Sequence, residues 1–463
     1  MGLFGLYLIL GRVLRWWEAG HNESAASSAG TKRRMAIALG GLVVLHGLNA
    51  VKIVLLLGGG YWLGGLFGGT TRVNVAFTWT YVLAVLYMLE FHSLGSLPFA
   101  WIDVLFRRHA GFYARWHVTF NITLLRLISF NMDRYYATQG AYSPIQHQER
   151  CKVCIAGDDC DRRRIQEPIE PQEYTFPAQL AYCLYLPLYI AGPIITFNNF
   201  HSQLVRPPKQ SGLALVSYGA RWLGSLLVLE LMQHFFYVVA IKDAQAWAGF
   251  RPSQFFALAY LNFNFVWLKL LVVWRFFRLV AMLDMVMAPE NMARCVSNSY
   301  SGLAFWRAWH RSFNQWIVRY LYVPLGGSAT SLLNIWPIFG FVALWHDFRI
   351  HLLAWGGLIC LFLLPEVFLR WLVGRFRLEQ RLSPRLFQAG CAGAAACNML
   401  LMTVANLVGF VVGVDGFAKI MAATSWRAGM QFLGVMIPAF YCYAQILFEI
   451  RATERAFGIY NNH

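Results

Sequence analysis

The stretch Leu352–Leu372, LLAWGGLICLFLLPEVFLRWL, reaches its first charge only at Glu366 and its second at Arg370. A helix of about 20 predominantly apolar residues spans the hydrocarbon core of a bilayer. Comparable stretches recur at Met35–Leu57, Val73–Phe91, Ala178–Ile195, Leu213–Ile241, Phe255–Trp274, Leu332–Trp345, Phe387–Val412 and Phe432–Phe448. Weaker ones lie at Leu3–Trp17, Val118–Met132 and Phe313–Val323. By the length criterion this predicts an all-α, polytopic integral membrane protein with about 9–12 transmembrane or re-entrant helices. No separate soluble domain remains outside these stretches, so residues 1–463 read as a single multi-pass membrane domain.

Composition agrees. Of 463 residues, 58% are hydrophobic and 13% charged, against about 25% charged in an ordinary soluble domain. Aromatic residues make up 16%, which suits rings seated at membrane interfaces. The net charge of +17 raises the question of a nucleic-acid partner. Its sources are short clusters between apolar runs, Lys32-Arg33-Arg34, Arg107-Arg108, Arg162-Arg163-Arg164 and the arginines from Arg370 to Arg385. That is the pattern of positive residues flanking membrane spans, not of one basic face, so no nucleic acid is expected. The first ten residues lack the leading positive charges of a signal peptide. Leu6 stands where N-myristoylation wants Ser or Thr.

One polar segment interrupts the pattern. Residues 137–176 carry Glu149, Asp158, Asp159, Asp161, Arg162 to Arg164, Glu167, Glu170 and Glu173. Such charge density is too costly for a bilayer interior, so the segment reads as an aqueous loop. It holds His147, Cys151, Cys154 and Cys160. Cys-x-x-Cys is a common half of a zinc site. A disulfide is an alternative of the same standing, free thiols are the plainest reading, and no metal is assigned. Cysteines in apolar runs, Cys183, Cys360, Cys391, Cys397 and Cys442, read as small buried hydrophobes.

Immediately after the loop, Tyr185 to Asn199 contains Pro187, Gly192 and Pro193. Each proline removes a backbone donor. Irregular backbone at membrane depth persists only where protein or a watery cavity satisfies it. The segment therefore either lines an internal cavity or is a simple proline kink.

Two segments carry histidines in aromatic, apolar surroundings. One runs Trp306-Arg-Ala-Trp309-His310-Arg311-Ser-Phe-Asn314-Gln-Trp316 and leads to Pro324-Leu-Gly326-Gly327. The other is Phe341-Val-Ala-Leu-Trp345-His346-Asp347. An ionisable residue inside a membrane is functional by default, although a lone histidine at a helix end is more often structural. Imidazole exchanges a proton near neutral pH and can serve as a general base toward a substrate hydroxyl. The chain has no Gly-x-Ser-x-Gly elbow, no His-Glu-x-x-His zinc site and no P-loop, which sets aside the chemistries those motifs perform.

These two segments resemble the signature of the membrane-bound O-acyltransferase family. Supporting stretches are RLISFNMDRYY at Arg126–Tyr136, YIAGPIITFNNF at Tyr189–Phe200, and Pro289-Glu290-Asn291 leading through Arg294-Cys295 to His310. The resemblance covers roughly Met88 to the C-terminus and points to the branch holding glycerol-uptake proteins and hedgehog acyltransferase. It implies a fold of helices around a central chamber and an acyl-CoA-dependent O-acyltransferase of the endoplasmic reticulum membrane. His346 corresponds to the family's general base. His310 corresponds to a second signature position, elsewhere often Asn or Asp, whose expected work is to polarise the acyl carbonyl or hold its oxyanion. Trp309, Arg311, Asn314, Trp316, Trp345 and Asp347 are the expected substrate contacts, with packing or interface anchoring the alternative for Trp316. Cys295 aligns with a haem-ligating cysteine of hedgehog acyltransferase, so haem is a possible cofactor, and a quiet buried thiol is the plainer reading.

The expected reaction moves a fatty acyl group from acyl-CoA to a hydroxyl of a membrane lipid, with a lyso-glycosylphosphatidylinositol (lyso-GPI) anchor as acceptor. Acylation of a secreted protein, as in hedgehog acyltransferase, is one alternative. A glycerol or polyol transporter is another; the absence of internal repeats and the presence of both histidines weigh against it. The polar segment should be reachable from one side of the membrane only, and His346 should be shielded. Cys151 should be labelled by an impermeant thiol reagent in sealed membranes from one side only. Labelling blocked on both sides overturns the loop assignment.

Overall fold

The structure, a computed structural model, describes residues 5, 7–13, 20, 28–93, 108–109, 111–113, 115–140, 154, 160–247, 249–346 and 350–458. All regular structure among them is helical. Eight described helices are long and apolar enough to cross a membrane: Asn49–Gly69, Arg72–Glu90, Gly212–Phe235, Pro252–Leu283, Gly327–His346, Leu353–Phe376, Pro384–Leu407 and Trp426–Ala456. The protein is thus an all-α, multi-pass membrane protein.

Several apolar stretches are not simple spans, each for a local reason. Met35–Leu57 breaks at Gly47, where φ is +56° and a Cβ would lie 1.9 Å from the His109 carbonyl oxygen. Glycine adopts that conformation without steric cost, and the missing Cβ is what tolerates that approach. Ala178–Ile195 breaks into the short helices Phe176–Cys183 and Leu186–Tyr189. Phe313–Val323 is a short α-helix that widens into a π-turn at Val318–Tyr322. Val118–Met132 lies in one helix, Trp116–Ala137, whose buried face carries Arg126 and Asp133.

The chain groups into two compact units, residues 1–222 with 273–290, and residues 223–272 with 291–463. In the first, helix Trp116–Ala137 is the hub, with Phe120, Leu124, Leu127, Ile128 and Phe130 inaccessible to solvent. Gly60 and Gly64 on helix Asn49–Gly65 are four apart and face it. A Cβ at Gly64 would lie 2.3 Å from Asn131 Nδ2, so the small residue is what lets the helices meet. This is the small-xxx-small device of membrane helix packing. Asn131 Nδ2 then donates to the Gly60 carbonyl at 3.0 Å and to Thr78 Oγ1 at 3.2 Å.

The hub's polar residues serve the broken segment. Arg126 donates from Nη1 to the Cys183 carbonyl at 3.1 Å and from Nη2 to the Leu188 carbonyl at 2.5 Å. Ser129 Oγ accepts the Phe197 N–H at 3.0 Å, and Asp133 Oδ2 accepts the Asn198 N–H at 3.2 Å. Positions 126, 129 and 133 follow the i, i+3, i+7 spacing of a single helix face. Side chains of one helix thus supply several of the partners of the backbone from 183 to 198, beside bonds within the segment and from Tyr182 Oη to the Ile195 carbonyl at 2.6 Å. The segment is more than a simple proline kink, and Tyr185 and Leu186 border a small cavity with Tyr7, Arg34, Ala38, Ala181 and Phe200.

The second unit contains the long helices Ser331–His346, Ile350–Phe376, Pro384–Leu407 and Trp426–Ala456. Gly409 admits Trp355, whose Cδ1 would lie 2.2 Å from an added Cβ. Glu366, on a span, accepts from Ser301 Oγ at 2.5 Å, from the Leu303 N–H at 3.2 Å and from Asn398 Nδ2 at 3.0 Å. Arg370 supplies its counter-charge at 2.8 Å. The loop after Asn291 is fastened to helix Trp426–Ala456 by a bidentate pair, Arg294 to Glu454 at 3.1 and 3.0 Å. Arg451 joins that pair and also donates to the Asn298 carbonyl at 2.8 Å.

Replacing Arg126 by Leu removes its hydrogen bonds to the buried Cys183 and Leu188 carbonyls, of which Leu188 keeps the Gly192 N–H, at a cost of about 1–3 kcal/mol. Arg126→Leu should therefore lower the thermal midpoint of detergent-purified protein, read by size-exclusion after heating, or abolish its monodisperse peak. A midpoint equal to the wild type's would show that the broken segment does not depend on this side chain.

Candidate active site

The chain around His310 is built from two short helices joined by a sharp reversal. Helix Gly302–Ala308 begins with Ser301, whose Oγ accepts the Ala304 N–H at 3.0 Å, while Glu366 takes the Leu303 N–H. A serine cap of this kind satisfies amide donors left over at a helix start. Trp309 is extended, and His310 adopts the left-handed conformation at φ +48°, ψ +50°. Left-handed backbone at a non-glycine residue costs roughly 1–2 kcal/mol. It persists where the surroundings over-determine it, and such residues concentrate at functional sites.

What holds it is Asn291. Its backbone carbonyl accepts the Arg311 N–H at 2.9 Å, and its Oδ1 accepts the Ser312 N–H at 3.1 Å. The Ala293 N–H reaches back to the Ala308 carbonyl at 3.1 Å. The residues on both sides of His310 are thus tied to the same loop, and Asn291 itself is 1% exposed.

The second histidine closes helix Ser331–His346. An aromatic row joins it to the first. The ring of His310 lies 5.1 Å from Phe313 and 6.4 Å from Trp345; Phe313 and Trp345 are 4.7 Å apart; Trp345 is 4.7 Å from His346. Trp316 backs the row, stacked on Phe313 at 5.9 Å and on Phe341 at 5.8 Å. The Trp345 ring thus neighbours both imidazoles. Residues 36 apart in sequence therefore meet across Trp345.

The expected contact residues sort into different places. Trp345 is buried between the two histidines. Trp316 is fully buried core, which favours packing over interface anchoring for it. Trp309 turns to Phe263, stacked at 5.8 Å and 17°, and to Phe305 at 5.6 Å. Arg311 and Asn314 are half-buried on the helix that follows His310. Asp347 lies outside the described residues. The apolar approach to His346 is buried at Phe341, Val342 and Ala343, and His346 is the last residue of helix Ser331–His346.

Asn291 and Glu366 were not foreseen as site-builders. Asn291 does stand in the Pro289-Glu290-Asn291 stretch, and Glu366 is a lone acid in an apolar run, which is itself a signal. Cys295, the residue aligned with a haem ligand, is a partly buried free thiol. Its neighbours Arg294 and Asn298 are engaged by Glu454 and Arg451, and Tyr443 donates to the Ser297 carbonyl at 2.6 Å. A macrocycle needs a broad, mostly apolar pocket beside its ligand. This polar clamp does not fit one, and no chemistry is derived through haem.

Removing the Asn291 side chain takes its Oδ1 acceptor from the buried Ser312 N–H, a loss of about 1–3 kcal/mol. Asn291→Ala should lower the thermal midpoint and, by freeing the His310 turn, reduce acyl transfer more than the destabilisation alone explains. Full activity in Asn291→Ala at a temperature where it is folded would refute the positioning role.

Comparison with known proteins fits this geometry. The sequence profile of the membrane-bound O-acyltransferase family matches residues 108–412. The membrane-bound O-acyltransferase GUP1 of Saccharomyces cerevisiae is 38% identical over 428 residues, covering 90% of this chain and 75% of that protein. The GUP2 protein of the same yeast is 32% identical over 453 residues, covering 93% and 73%. The mouse protein-cysteine N-palmitoyltransferase HHAT is 27% identical over 339 residues, covering 68% and 66%. With both histidines inside the matched region and high coverage on either side, this chain belongs to the membrane-bound O-acyltransferase family and is an acyltransferase enzyme.

Proposed function

We propose that the protein transfers a fatty acyl group from acyl-CoA to a hydroxyl of a membrane lipid, with the lyso form of a GPI anchor as acceptor, in the endoplasmic reticulum membrane. The observation that carries this reading is the meeting of His310 and His346 across Trp345, at the end of a span that is apolar up to His346. Lyso-anchor reacylation is what resemblance to the glycerol-uptake branch implies. Support for an oxygen acceptor comes from the relatives at 38% and 32% identity, both named O-acyltransferases.

In this mechanism His346 takes the proton of the acceptor hydroxyl, and the oxygen attacks the thioester carbon. The carbonyl oxygen gathers negative charge, which a ring N–H of His310 stabilises by donating a hydrogen bond. The tetrahedral species collapses with cleavage of the carbon–sulfur bond. The departing CoA sulfur takes the proton back from His346, leaving the ester, free CoA thiol and neutral imidazole. Trp345 keeps the rings apart, so that one can act as base while the other acts as donor. Arg311, beside His310 in sequence, is suited to the CoA phosphates, because guanidinium matches phosphate oxygens well.

The acceptor class is the point on which a second reading differs. Relatives named protein-cysteine N-palmitoyltransferases point to a protein amine instead, at 27% identity. Purified protein should be given radiolabelled acyl-CoA with a lyso-GPI lipid or with a peptide bearing an N-terminal cysteine. Label in the lipid alone is expected; label in the peptide alone overturns the lipid assignment. His346→Ala should slow the transfer by about 10²–10⁴-fold, the usual worth of a positioned base. His310→Asn should keep more activity than His310→Ala, because the amide still donates a hydrogen bond. Near-normal turnover in His346→Ala, or equal loss in both His310 variants, would reverse these assignments.

A further inference from the structure

Of the polar segment's possible zinc donors, His147 and Cys151 lie outside the described residues. Charge of another kind gathers in the first unit, which includes the start of helix Gly212–Phe235 and the end of helix Pro252–Leu283. The former carries Tyr218 and Arg221, the latter Arg275 and Arg278, and Glu290 follows in the chain. Tyr218 Oη donates to Glu290 Oε2 at 2.9 Å, Arg275 Nε to Oε1 at 3.3 Å and Arg278 Nη1 to Oε2 at 3.4 Å. Arg278 Nε also donates to the Ala288 carbonyl at 2.7 Å, which ties the loop bearing Glu290 to the helix. The Tyr218 ring serves two cations at once, the guanidinium of Arg278 at 4.7 Å from its centroid and that of Arg221 at 5.4 Å. An aromatic face attracts a cation through its quadrupole. It holds the group in place and does not cancel its charge.

Three guanidiniums thus gather round one carboxylate and one phenol. Charges within a membrane protein pair with one another, because an uncompensated one is expensive. Three cations to one anion in this group is an arrangement that an incoming anion completes. The depth of the group says where that anion comes from. Residues 218 and 221 lie about 9–14 Å from the start of their helix, and residues 275 and 278 about 8–12 Å before the end of theirs, at 1.5 Å per residue. Helices of 24 and 32 residues overhang a hydrocarbon core that about 20 residues cross. A long cationic side chain also reaches outward along its apolar stem. The guanidiniums therefore stand within reach of the headgroup level at one membrane face. Arg221 is exposed, and so are Leu213 and Val216 on the turns before it. Exposed leucine and valine on a spanning helix meet acyl chains, so the anion beside them is a lipid phosphate.

We propose that Arg221, Arg275 and Arg278, arranged by Tyr218 and Glu290, form a binding site for the phosphate of an anionic membrane lipid. Guanidinium matches phosphate oxygens in charge and in planar, forked geometry. Basic sites between membrane helices recognise anionic headgroups in this way. Nε and Nη1 of Arg278 are spent on Ala288 and Glu290, and the two N–H groups on its Nη2 are those an incoming oxygen would meet. The acyl chains of the lipid would run along Leu213 and Val216. None of the groups assigned to acyl transfer belongs to this site, so it can fail or stand independently of the reaction.

The test uses the full-length protein purified in detergent. Dioleoyl phosphatidic acid and dioleoyl phosphatidylcholine are the probes, and native mass spectrometry counts the lipid each chain retains. Phosphatidic acid should be retained in preference. Arg221→Gln and Arg278→Gln should each weaken that retention about tenfold, the size of one charge-assisted hydrogen bond lost. Arg427→Gln, at an exposed arginine in the first turn of helix Trp426–Ala456, should leave it unchanged. Excess free CoA, a phosphate source in water, should leave the lipid in place. If Arg278→Gln fails to fold because Glu290 loses a partner, Arg221→Gln and the headgroup preference of the wild type still decide. Equal retention of the two lipids overturns the proposal. So does unchanged retention in Arg221→Gln, equal loss in Arg427→Gln, or displacement of the lipid by CoA, which would make the site one for a soluble phosphate.

Discussion

A backbone carbonyl or N–H without a partner inside a bilayer costs several kcal/mol, and water is not there to repair it. The first unit is organised around one answer to that constraint. The chain from 183 to 198 is interrupted by proline and glycine, and a single face of helix Trp116–Ala137 supplies four of the hydrogen bonds that its backbone makes. Arg126 is buried in the process, and its charge is spread over two carbonyls rather than met by an acid. Two of the stretches that resemble the family signature, RLISFNMDRYY and YIAGPIITFNNF, are therefore the two sides of one interlock.

The second unit repeats the logic at smaller scale and puts the histidines on top of it. Short helices have a high ratio of unsatisfied ends to internal bonds. The two that flank His310 are served by Ser301 and Glu366 on one side and by Asn291 on the other. The left-handed turn at His310 is the price of bringing both helix ends to fixed partners. A turn held at both ends presents its imidazole with little freedom, which a positioned donor or base requires. The aromatic row from Phe313 through Trp345 then sets its spacing from His346 by packing alone.

Both units show why charges in apolar helices are informative. Glu366 and Arg126 each lie in the middle of a helix where a charge is costly. Each serves backbone groups of a distant irregular segment. A charge in an apolar helix is thus explained here by the irregular backbone that it holds.

Much was legible in the sequence alone. Span length and hydropathy are local properties, so the all-α, multi-pass class follows from windows of about 20 residues. Motif order pointed to the family, and His310 and His346 stood out because ionisable side chains there are few. What sequence could not decide is which residues distant along the chain share a face. Ala178–Ile195 has the hydropathy of a span, and only its docking on Arg126, Ser129 and Asp133 reveals why it can stay broken. Trp309, Trp316 and Trp345 look alike as tryptophans near histidine, yet one turns to Phe263, one fills the core and one separates the imidazoles. The role of Asn291 rests on hydrogen bonds across about 20 residues, and that of Glu366 on bonds across more than 60. Composition and periodicity report the environment a residue needs; which partner supplies it is settled only when the helices pack.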